Sequence, residues 1–194
     1  MIFISAGHHE HAQGAKYDGV TEYSLTTVWA DKIADLLNGR ANRVPNGTLK
    51  TKVTYINQNA KRGDLAIEIH FNSAKMWRDQ NANGVIDDDE MIHVGIGSET
   101  LYYPGSKKGQ AAAETIQDAL SRIYPPNRGA KKGWYQMNPE KGPDFFLSRT
   151  RCIALIIEPE FIDNLNAINN NRESACYCIA ESLIEIINNQ EKDQ

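Results

Sequence analysis

Cysteine, surplus positive charge and long apolar runs are all scarce or missing in this 194-residue sequence. Its three cysteines, Cys152, Cys176 and Cys178, lack Cys-x-x-Cys spacing, which favours free thiols over a disulfide framework or a cysteine zinc site. The formal net charge of −4 argues against nucleic acid as a partner, because nucleic-acid-binding proteins present a basic face. No apolar run approaches the roughly 18–20 residues of a membrane-spanning helix, so no membrane insertion is expected.

The start of the chain bears on where the protein is made. Met1 is followed directly by an apolar segment typical of a core strand, without the basic region that opens a secretory signal peptide. We therefore expect the protein to be made in the cytoplasm without a signal peptide. A target outside the membrane would then have to be reached by release or delivery.

Short apolar runs alternate with amphipathic segments along the chain. The predicted strands are residues 2–4, 51–56, 64–71, 94–103 and 152–157, and the predicted helices are residues 21–38, 106–124 and 170–189. This alternation predicts an α/β fold in a single domain over residues 1–194, with a mostly parallel twisted sheet and helices on both faces. Residues 40–50 are predicted to form a polar connection, and residues 127–148 a substrate-facing loop or an ordinary long connection.

Side chains that can bind metals or protons follow the ends of predicted strands. His8 lies just past the first strand, His70 lies at the carboxyl end of the strand 64–71, and Glu158 follows the last strand. Glu22 lies in the first turn of the predicted helix 21–38. Parallel neighbouring strands bring their carboxyl ends to one edge of a sheet, so we expect these side chains to meet there.

Two imidazoles and a carboxylate suit a catalytic zinc site. Such a set holds Zn²⁺ through three protein ligands and leaves a position for water, whose pKa then falls to near 7. A carboxylate outside the metal's ligand shell can take the proton of that water and pass it to a leaving amine. Glu158 fits this role by its position, and Glu160 is the competing candidate.

Four motifs connect the chain to a known family. They are Gly7-His8 with Gly14-Ala15 and a helix-opening Glu22, then Ile67-Glu68-Ile69-His70-Phe71-Asn72-Ser73, Asn127-Arg128-Gly129, and Ile156-Ile157-Glu158-Pro159-Glu160-Phe161-Ile162-Asp163-Asn164. In this order they resemble the zinc-dependent N-acetylmuramoyl-L-alanine amidases, the Amidase_3 family of cell-wall hydrolases. The family usually has Gly-His-Gly-Gly where this chain has Gly7-His8-His9-Glu10, which makes His9 an alternative first ligand. The register of Gly14-Ala15 favours His8.

The resemblance implies a zinc ion held by His8, Glu22 and His70, with Glu158 as the catalytic glutamate. The implied reaction hydrolyses the amide bond between the lactyl group of N-acetylmuramic acid and the L-alanine of the peptidoglycan stem peptide. Peptidoglycan or a muropeptide is therefore the expected substrate.

A second metal-binding pattern lies in residues 75–93, an insertion after the predicted zinc ligands. Residues 79–90 fit the EF-hand calcium loop, D-x-[DN]-x-[DN]-G-x₅-E. The predicted calcium ligands are Asp79, Asn81, Asn83, the carbonyl of Val85, Asp87 and Glu90, with Gly84 at the sharp turn. A helical turn over residues 74–78 and a strand over residues 91–94 favour an isolated calcium loop over a paired EF-hand. The alternative is a flexible acidic surface loop.

The sequence leaves the substrate-binding residues, the exact reaction and the place of action as expectations with alternatives. Asn72 and Arg128, which lie in two of the family motifs, are candidate substrate-binding residues. The alternative functions are a zinc peptidase that cuts within the stem peptide and a calcium-stabilised wall-binding module whose catalytic site has decayed. The expected absence of a signal peptide suits a phage endolysin, or an enzyme carried on a phage or contractile injection particle, that acts on the cell wall or periplasm. Action on wall fragments inside the cell is the alternative.

Overall fold

A six-stranded sheet forms the centre of the computed structural model, which describes residues 1–77, 84, 91–93 and 95–192. The strands are β1 (Ile2–Ala6), β2 (Lys16–Tyr17), β3 (Val20–Thr21), β4 (Ala41–Arg43), β5 (Leu65–Ile69), β6 (Lys75–Trp77), β7 (Met91–His93), β8 (Ser98–Tyr102), β9 (Asn127–Lys132) and β10 (Ile153–Glu158). The helices are α1 (Glu22–Leu36), α2 (Leu49–Asn59), α3 (Lys107–Leu120), α4 (Phe145–Arg149) and α5 (Leu165–Lys192). Two short 3₁₀ helices, Tyr135–Met137 and Pro139–Lys141, precede α4.

The central sheet has the strand order β4–β1–β5–β10–β8–β9. Four neighbouring strands, β4, β1, β5 and β10, run parallel, and Ile69 at the end of β5 pairs with Ala6 on one side and Ile157 on the other. β8 runs antiparallel to β10, and β9 runs parallel to β8. The prediction of a mostly parallel sheet is confirmed, and the carboxyl ends of β1, β5 and β10 meet at one edge.

Each face of the sheet is covered by its own set of helices. α1, α3 and α5 pack on one face, where Trp29, Ile33 and Ile116 are fully buried. α2 and α4 cover the other face through side chains that include Val53 and Phe146. The prediction of one α/β domain with helices on both faces is therefore confirmed. None of the described helices is long and apolar enough to cross a membrane.

Side-chain caps fix the starts of two predicted helices. Thr21 Oγ1 accepts a hydrogen bond from Ser24 N at 3.2 Å, and Ser106 Oγ accepts one from Gly109 N at 3.0 Å. Each cap satisfies an amide that has no partner within the helix, so α1 and α3 begin directly after these residues. The cap on α1 places Glu22 in its first turn, as predicted.

The prediction of a strand over residues 51–56 is wrong, because this segment lies inside α2. Its β-branched and aromatic residues favour a strand locally. Thr48 caps a helix instead, since its hydroxyl accepts a hydrogen bond from Thr51 N at 3.3 Å. The helix then places Lys52, Val53 and Ile56 on one buried stripe. Burial of this stripe against the rest of the protein outweighs the local preference.

Four further segments differ from prediction. The polar segment 40–50 contains β4, and the predicted loop 127–148 begins with β9; both are edge strands without apolar alternation. Lys75–Trp77 forms β6 rather than a helical turn, because it pairs with β7, whose strand character is confirmed over Met91–His93. α5 begins at Leu165 rather than at residue 170. The prediction started too late because the asparagine-rich first turns of this helix show little apolar periodicity.

Candidate active site

Three elements carry the predicted zinc ligands to one edge of the sheet. The pairing of Ala6 with Ile69 sets the ends of β1 and β5 side by side. His8 and His70 follow these ends, and their ring centroids lie 5.0 Å apart. Glu22 comes from the first turn of α1, which packs against β1 and β5.

The carboxylate of Glu22 lies between the two imidazoles. His8 Nε2 is 2.8 Å from Glu22 Oε2, and His70 Nδ1 is 3.0 Å from Glu22 Oε1. One possible ligand atom from each of the three residues lies within 4.8 Å of the other two. The structure therefore brings together the three residues predicted as zinc ligands.

Backbone amides fix the orientation of this carboxylate. Glu22 Oε2 accepts a hydrogen bond from Ala15 N at 3.1 Å, and Oε1 accepts one from Phe71 N at 3.1 Å. Burial alone would raise the pKa of Glu22, but hydrogen bonds to His70 and His8 hold that pKa well below its usual range. Glu22 therefore stays ionised at neutral pH.

Two carboxylates face the ring of His70. Its Nδ1 contacts Glu22, and its Nε2 lies 3.2 Å from Glu68 Oε2. Burial opposes the charged imidazolium, but the two carboxylates raise the pKa of His70 well above its ordinary value. The two carboxylates thus stabilise a positive charge at this point, and they would stabilise a divalent cation in the same way.

Two glycines leave room for the cluster. A Cβ atom at Gly7 would lie 2.7 Å from His70 Cε1, and one at Gly14 would lie 2.5 Å from Glu22 Oε2. Gly14 also has a φ of +72°, a backbone conformation that side chains disfavour. With two imidazoles and a carboxylate as donors, the residues present fit a catalytic zinc ion.

A cleft of about 450 Å³ opens over this cluster. Its walls come from the ends of β5, β8 and β10, from α2, and from the segment that contains the 3₁₀ helices. The lining includes His8, His70, Glu158, Glu99 and Trp134. Two of the candidate ligands, His8 and His70, and the candidate base therefore line one cleft.

Glu158 is a carboxyl group of this cleft with unsatisfied hydrogen-bonding capacity. Its Oε2 is shielded from solvent and has no hydrogen-bond partner among the described residues. Burial raises the pKa of Glu158 to about 8; the charge of His70 opposes this shift, and those of Glu22 and Glu99 add to it. This group binds a proton far more tightly than an exposed glutamate does.

The competing candidates make other contacts. Glu160 Oε1 accepts hydrogen bonds from Gly97 N and Phe161 N, both at 2.8 Å, and the residue is buried away from the cleft lining. His9 borders the cleft, but its Nδ1 accepts a hydrogen bond from His11 N at 3.3 Å. These contacts make a structural role the simpler explanation for both residues.

Glu99 lies directly opposite Glu158 on β8. It accepts hydrogen bonds from Asn72 Nδ2 at 3.0 Å and from Lys131 Nζ at 2.6 Å, and Arg128 Nη2 lies 3.1 Å from it. The two predicted substrate-binding residues, Asn72 and Arg128, therefore contact one carboxylate; Asn72 and Glu99 line the cleft, and Arg128 lies behind Glu99. Their binding role stays a prediction.

A family model described as N-acetylmuramoyl-L-alanine amidase, Amidase_3, matches residues 2–189 of this sequence. The chain belongs to this amidase family. The resemblance indicated by the motifs is confirmed, and with it the prediction that the chain is an amidase. A search of curated proteins finds no significant match.

Solved amidase structures match this chain over nearly its whole length. The catalytic domain of the CD27L endolysin targeting Clostridia difficile is 25% identical, with a TM-score of 0.68 over 95% of this chain and 96% of that chain. AmiC2 of Nostoc punctiforme is 18% identical, with a TM-score of 0.71 over 96% of each chain. Ami1 from Mycobacterium smegmatis is 13% identical, with a TM-score of 0.72 over 97% of each chain. The last two comparisons show the fold alone.

Sequence reasoning missed four charged residues that line the amidase cleft, namely Lys52, Glu68, Glu99 and Asp144. Lys52 was hidden by the wrong prediction of a strand. Glu68 does carry a signal, because a glutamate inside the apolar run of β5 is costly to bury without a partner. Glu99 has no comparable signal.

The predicted calcium loop lies largely outside the described residues. Asp79, Asn81, Asn83, Val85, Asp87 and Glu90 are among the residues that are not described. Gly84 is described and has a φ of +83°, the left-handed conformation that glycine adopts without strain. β6 and β7 pair on either side of the segment.

Proposed function

We propose that this amidase hydrolyses the amide bond between the lactyl group of N-acetylmuramic acid and the L-alanine of a peptidoglycan stem peptide. One observation carries the proposal. The His8–Glu22–His70 cluster borders, through its two histidines, the cleft that Glu158 lines, and Glu158 Oε2 has no hydrogen-bond partner among the described residues. The family match supports the substrate class.

His8, Glu22 and His70 would hold a zinc ion in this proposal. A bound zinc ion supplies Lewis acidity, which polarises a carbonyl group and lowers the pKa of water. The hydrogen bonds from Ala15 N and Phe71 N orient Glu22 before any metal binds. Such preorganisation favours metal binding because less ordering is left to be done.

Glu158 is proposed as the proton carrier. A water molecule attacks the amide carbon, Glu158 takes the water's proton, and the same carboxyl group then protonates the departing nitrogen as the C–N bond breaks. The products are the lactyl carboxylate and a free L-alanine amino terminus. An oxygen with no other hydrogen-bond partner in the described part of the chain supports this role.

Asn72 and Arg128 are proposed to contact the substrate. Asn72 lines the cleft, and the guanidinium carbon of Arg128 lies 4.5 Å from the ring centroid of Phe161. Arg128 contacts the cleft residue Glu99, and its Nη1 is buried without a hydrogen-bond partner within the described ranges, so one donor of this guanidinium is uncommitted.

The first test is a digest of purified peptidoglycan with the products identified by mass spectrometry. We expect new L-alanine amino termini, and we expect them to vanish with a zinc chelator and in Glu158→Ala. Glu160→Gln is the matched control, because glutamine keeps an oxygen for the amides of Gly97 and Phe161.

The products separate the proposal from its alternatives. New amino termini of other stem residues would mean that the enzyme cuts within the stem peptide. An unchanged wall that still binds the protein would indicate a binding module. About one zinc per chain in the purified protein, lost in His70→Ala, would support the enzyme.

We also propose that the segment 79–90 binds calcium and stiffens a wall of the substrate cleft. Support comes from the filled EF-hand pattern, from the left-handed Gly84 at its glycine position, and from the paired strands on either side. An EGTA titration tests it, with Glu90→Gln as a weakened variant. Unchanged melting temperature and unchanged activity would contradict the proposal.

For its place of action, we propose that the protein reaches the cell wall or periplasm by release through a membrane lesion, as a phage lysin does, or by delivery on a phage or contractile injection particle. The likeness to an endolysin catalytic domain supports release. Expression in a bacterial cytoplasm tests it: we expect lysis only when a pore-forming protein is co-expressed. Lysis without a pore would contradict it.

A further inference from the structure

A buried ion pair lies directly beneath the candidate metal cluster. Lys52 on α2 and Glu68 on β5 are joined by a 2.6 Å contact between Nζ and Oε1, and their side chains are 2% and 3% exposed. Neither residue belongs to the ligand set or to the proposed proton path. Burying two charges is costly compared with apolar packing, so stability alone gives little reason for the pair.

Glu68 reaches the far side of the His70 ring. Its second oxygen, Oε2, lies 3.2 Å from His70 Nε2, while Nδ1 of the same ring lies 3.0 Å from Glu22 Oε1. The imidazole is therefore held at both nitrogens. An Nε2–H that donates to Glu68 leaves the Nδ1 lone pair facing the ligand cluster. A metal-binding histidine is commonly oriented in this way by a carboxylate on its other nitrogen.

Lys52 connects this carboxylate to the loop of the other histidine. Its ammonium group donates to the backbone oxygen of Ala6 at 2.6 Å and to that of His8 at 3.3 Å. Ser5 Oγ adds a contact of 3.4 Å to Glu68 Oε1. One ammonium group therefore connects α2 to the two strand ends that carry the imidazoles.

His8 gains most from such support. It has a φ of +61°, a conformation that is strained for a residue with a side chain. The surrounding contacts must therefore hold the loop in place. Lys52 provides one of these contacts at the carbonyl of His8 itself.

We propose that Glu68 and Lys52 are positioning residues of the zinc centre, Glu68 by fixing the ring of His70 with Nδ1 toward the metal and Lys52 by holding both Glu68 and the His8 loop. This inference rests on the proposed function, since it takes the cluster to bind zinc. It assigns to Lys52 and Glu68, which are not ligands, the task of positioning the ligands His8 and His70.

The test measures zinc affinity rather than activity. The zinc dissociation constant is obtained by competition with a chromophoric chelator for the wild type, Glu68→Gln, Glu68→Leu and Lys52→Met/Glu68→Leu. We expect an increase of about 10- to 100-fold for Glu68→Leu and for the double variant. Glu68→Gln keeps an oxygen that can accept from Nε2–H and should fall between these variants and the wild type.

The double variant addresses folding, because it removes both charges and leaves neither buried alone. Gln117→Leu is the matched control: it removes buried hydrogen bonds to Ser98 and Thr100, away from the cluster. Its zinc dissociation constant should match that of the wild type. Circular dichroism confirms that each compared variant is folded.

A spectroscopic readout checks the mechanism itself. Nitrogen NMR of the zinc-loaded wild type should show His70 protonated at Nε2, and Glu68→Leu should lose this single tautomer. Unchanged affinity and tautomer in folded Glu68 variants would overturn the inference. A wild type that fails to bind zinc would overturn the proposed function instead.

Discussion

Glu158 and Glu99 lie opposite each other on β10 and β8, and both line the cleft, yet their surroundings differ. Glu99 is surrounded by donors from Asn72, Lys131 and Arg128. Glu158 has a carboxyl oxygen without a hydrogen-bond partner in the described residues, and burial raises its pKa to about 8. Two glutamates on neighbouring strands therefore differ in their hydrogen-bond partners and in how readily they bind a proton.

The difference shows that surroundings, rather than residue type, decide which carboxyl group can carry a proton. Hydrogen bonds and cations stabilise a charged carboxylate, whereas burial without partners favours its neutral form. A group that takes up and gives back a proton has to be near balance between the two forms. Glu158 meets this condition, whereas Glu99 is placed to hold Asn72 and Arg128 through contacts with its carboxyl oxygens.

The largest expected effect comes from removing each carboxylate in turn. Glu158→Gln should lower kcat/KM on a muropeptide by about 10²- to 10⁴-fold, the usual contribution of a general acid–base group. Glu99→Gln should lower it far less, because the proposed proton path runs through Glu158 and not through Glu99. Product formation followed by mass spectrometry measures both. Zinc content is the control, since it should be unchanged in both variants, and equal losses of activity would remove the distinction.

The pH dependence of stability gives the second test, on chelator-treated protein. Folding raises the pKa of Glu158 from 4.5 to about 8, so the folded protein binds the extra proton between these values. The free energy of unfolding should therefore fall as pH rises across this interval, by about 1.4 kcal/mol per pH unit at most. Urea unfolding at a series of pH values measures it.

Glu158→Gln should lose this pH-dependent component, so its stability relative to the wild type should increase steadily from pH 5 to pH 8. Glu99→Gln provides the comparison and should leave most of the wild-type slope in place. Parallel curves for the wild type and Glu158→Gln would show that the carboxyl group titrates normally.

A smaller effect is expected on the acidic limb of the pH–rate profile. The charge of Glu99 contributes to the raised pKa of Glu158. Glu99→Gln removes that charge, so the limb should move to lower pH, because the base then ionises more easily. Values of kcat/KM between pH 5 and pH 9 measure the shift. Movement to higher pH would contradict the assignment.

The smallest shift, of opposite sign, is expected from Arg128→Met. The charge of Arg128 lowers the pKa of Glu158, and its effect on that pKa is smaller than those of His70, Glu22 and Glu99. Its removal should move the acidic limb slightly to higher pH, and KM should rise if Arg128 contacts the substrate. Arg122→Met, a change at an exposed arginine just after α3, controls for the loss of an arginine. An unchanged KM would remove Arg128 from the proposed substrate contacts.

Local signals account for what could be predicted about the fold and the site. Thr21 and Ser106 cap helices through hydroxyl groups that bond within their own first turn, so the sequence nearby reveals the start. The apolar runs of β1, β5 and β10 likewise mark buried strands. The candidate ligands follow directly from such boundaries.

Distant contacts explain what could not be predicted. Residues 51–56 favour a strand locally but form a helix, because burial of Val53 and Ile56 depends on packing partners elsewhere in the chain. The polar sequence of β9 predicts a loop, but the segment forms a strand because β8 supplies its hydrogen-bond partners. β9 has no strand signal within its own segment, and for residues 51–56 the local helix signal is the cap by Thr48.

The sequence by itself determined the α/β architecture and the candidate set His8, Glu22, His70 and Glu158, because strand ends and helix starts are marked by neighbouring residues. Only the tertiary structure decided which carboxylates are partnered. Lys52 pairs with Glu68, and donors gather at Glu99 but, among the described residues, not at Glu158 Oε2. These contacts join residues far apart in the chain. Those contacts set the local electrostatics, since charge and burial act through space rather than along the sequence.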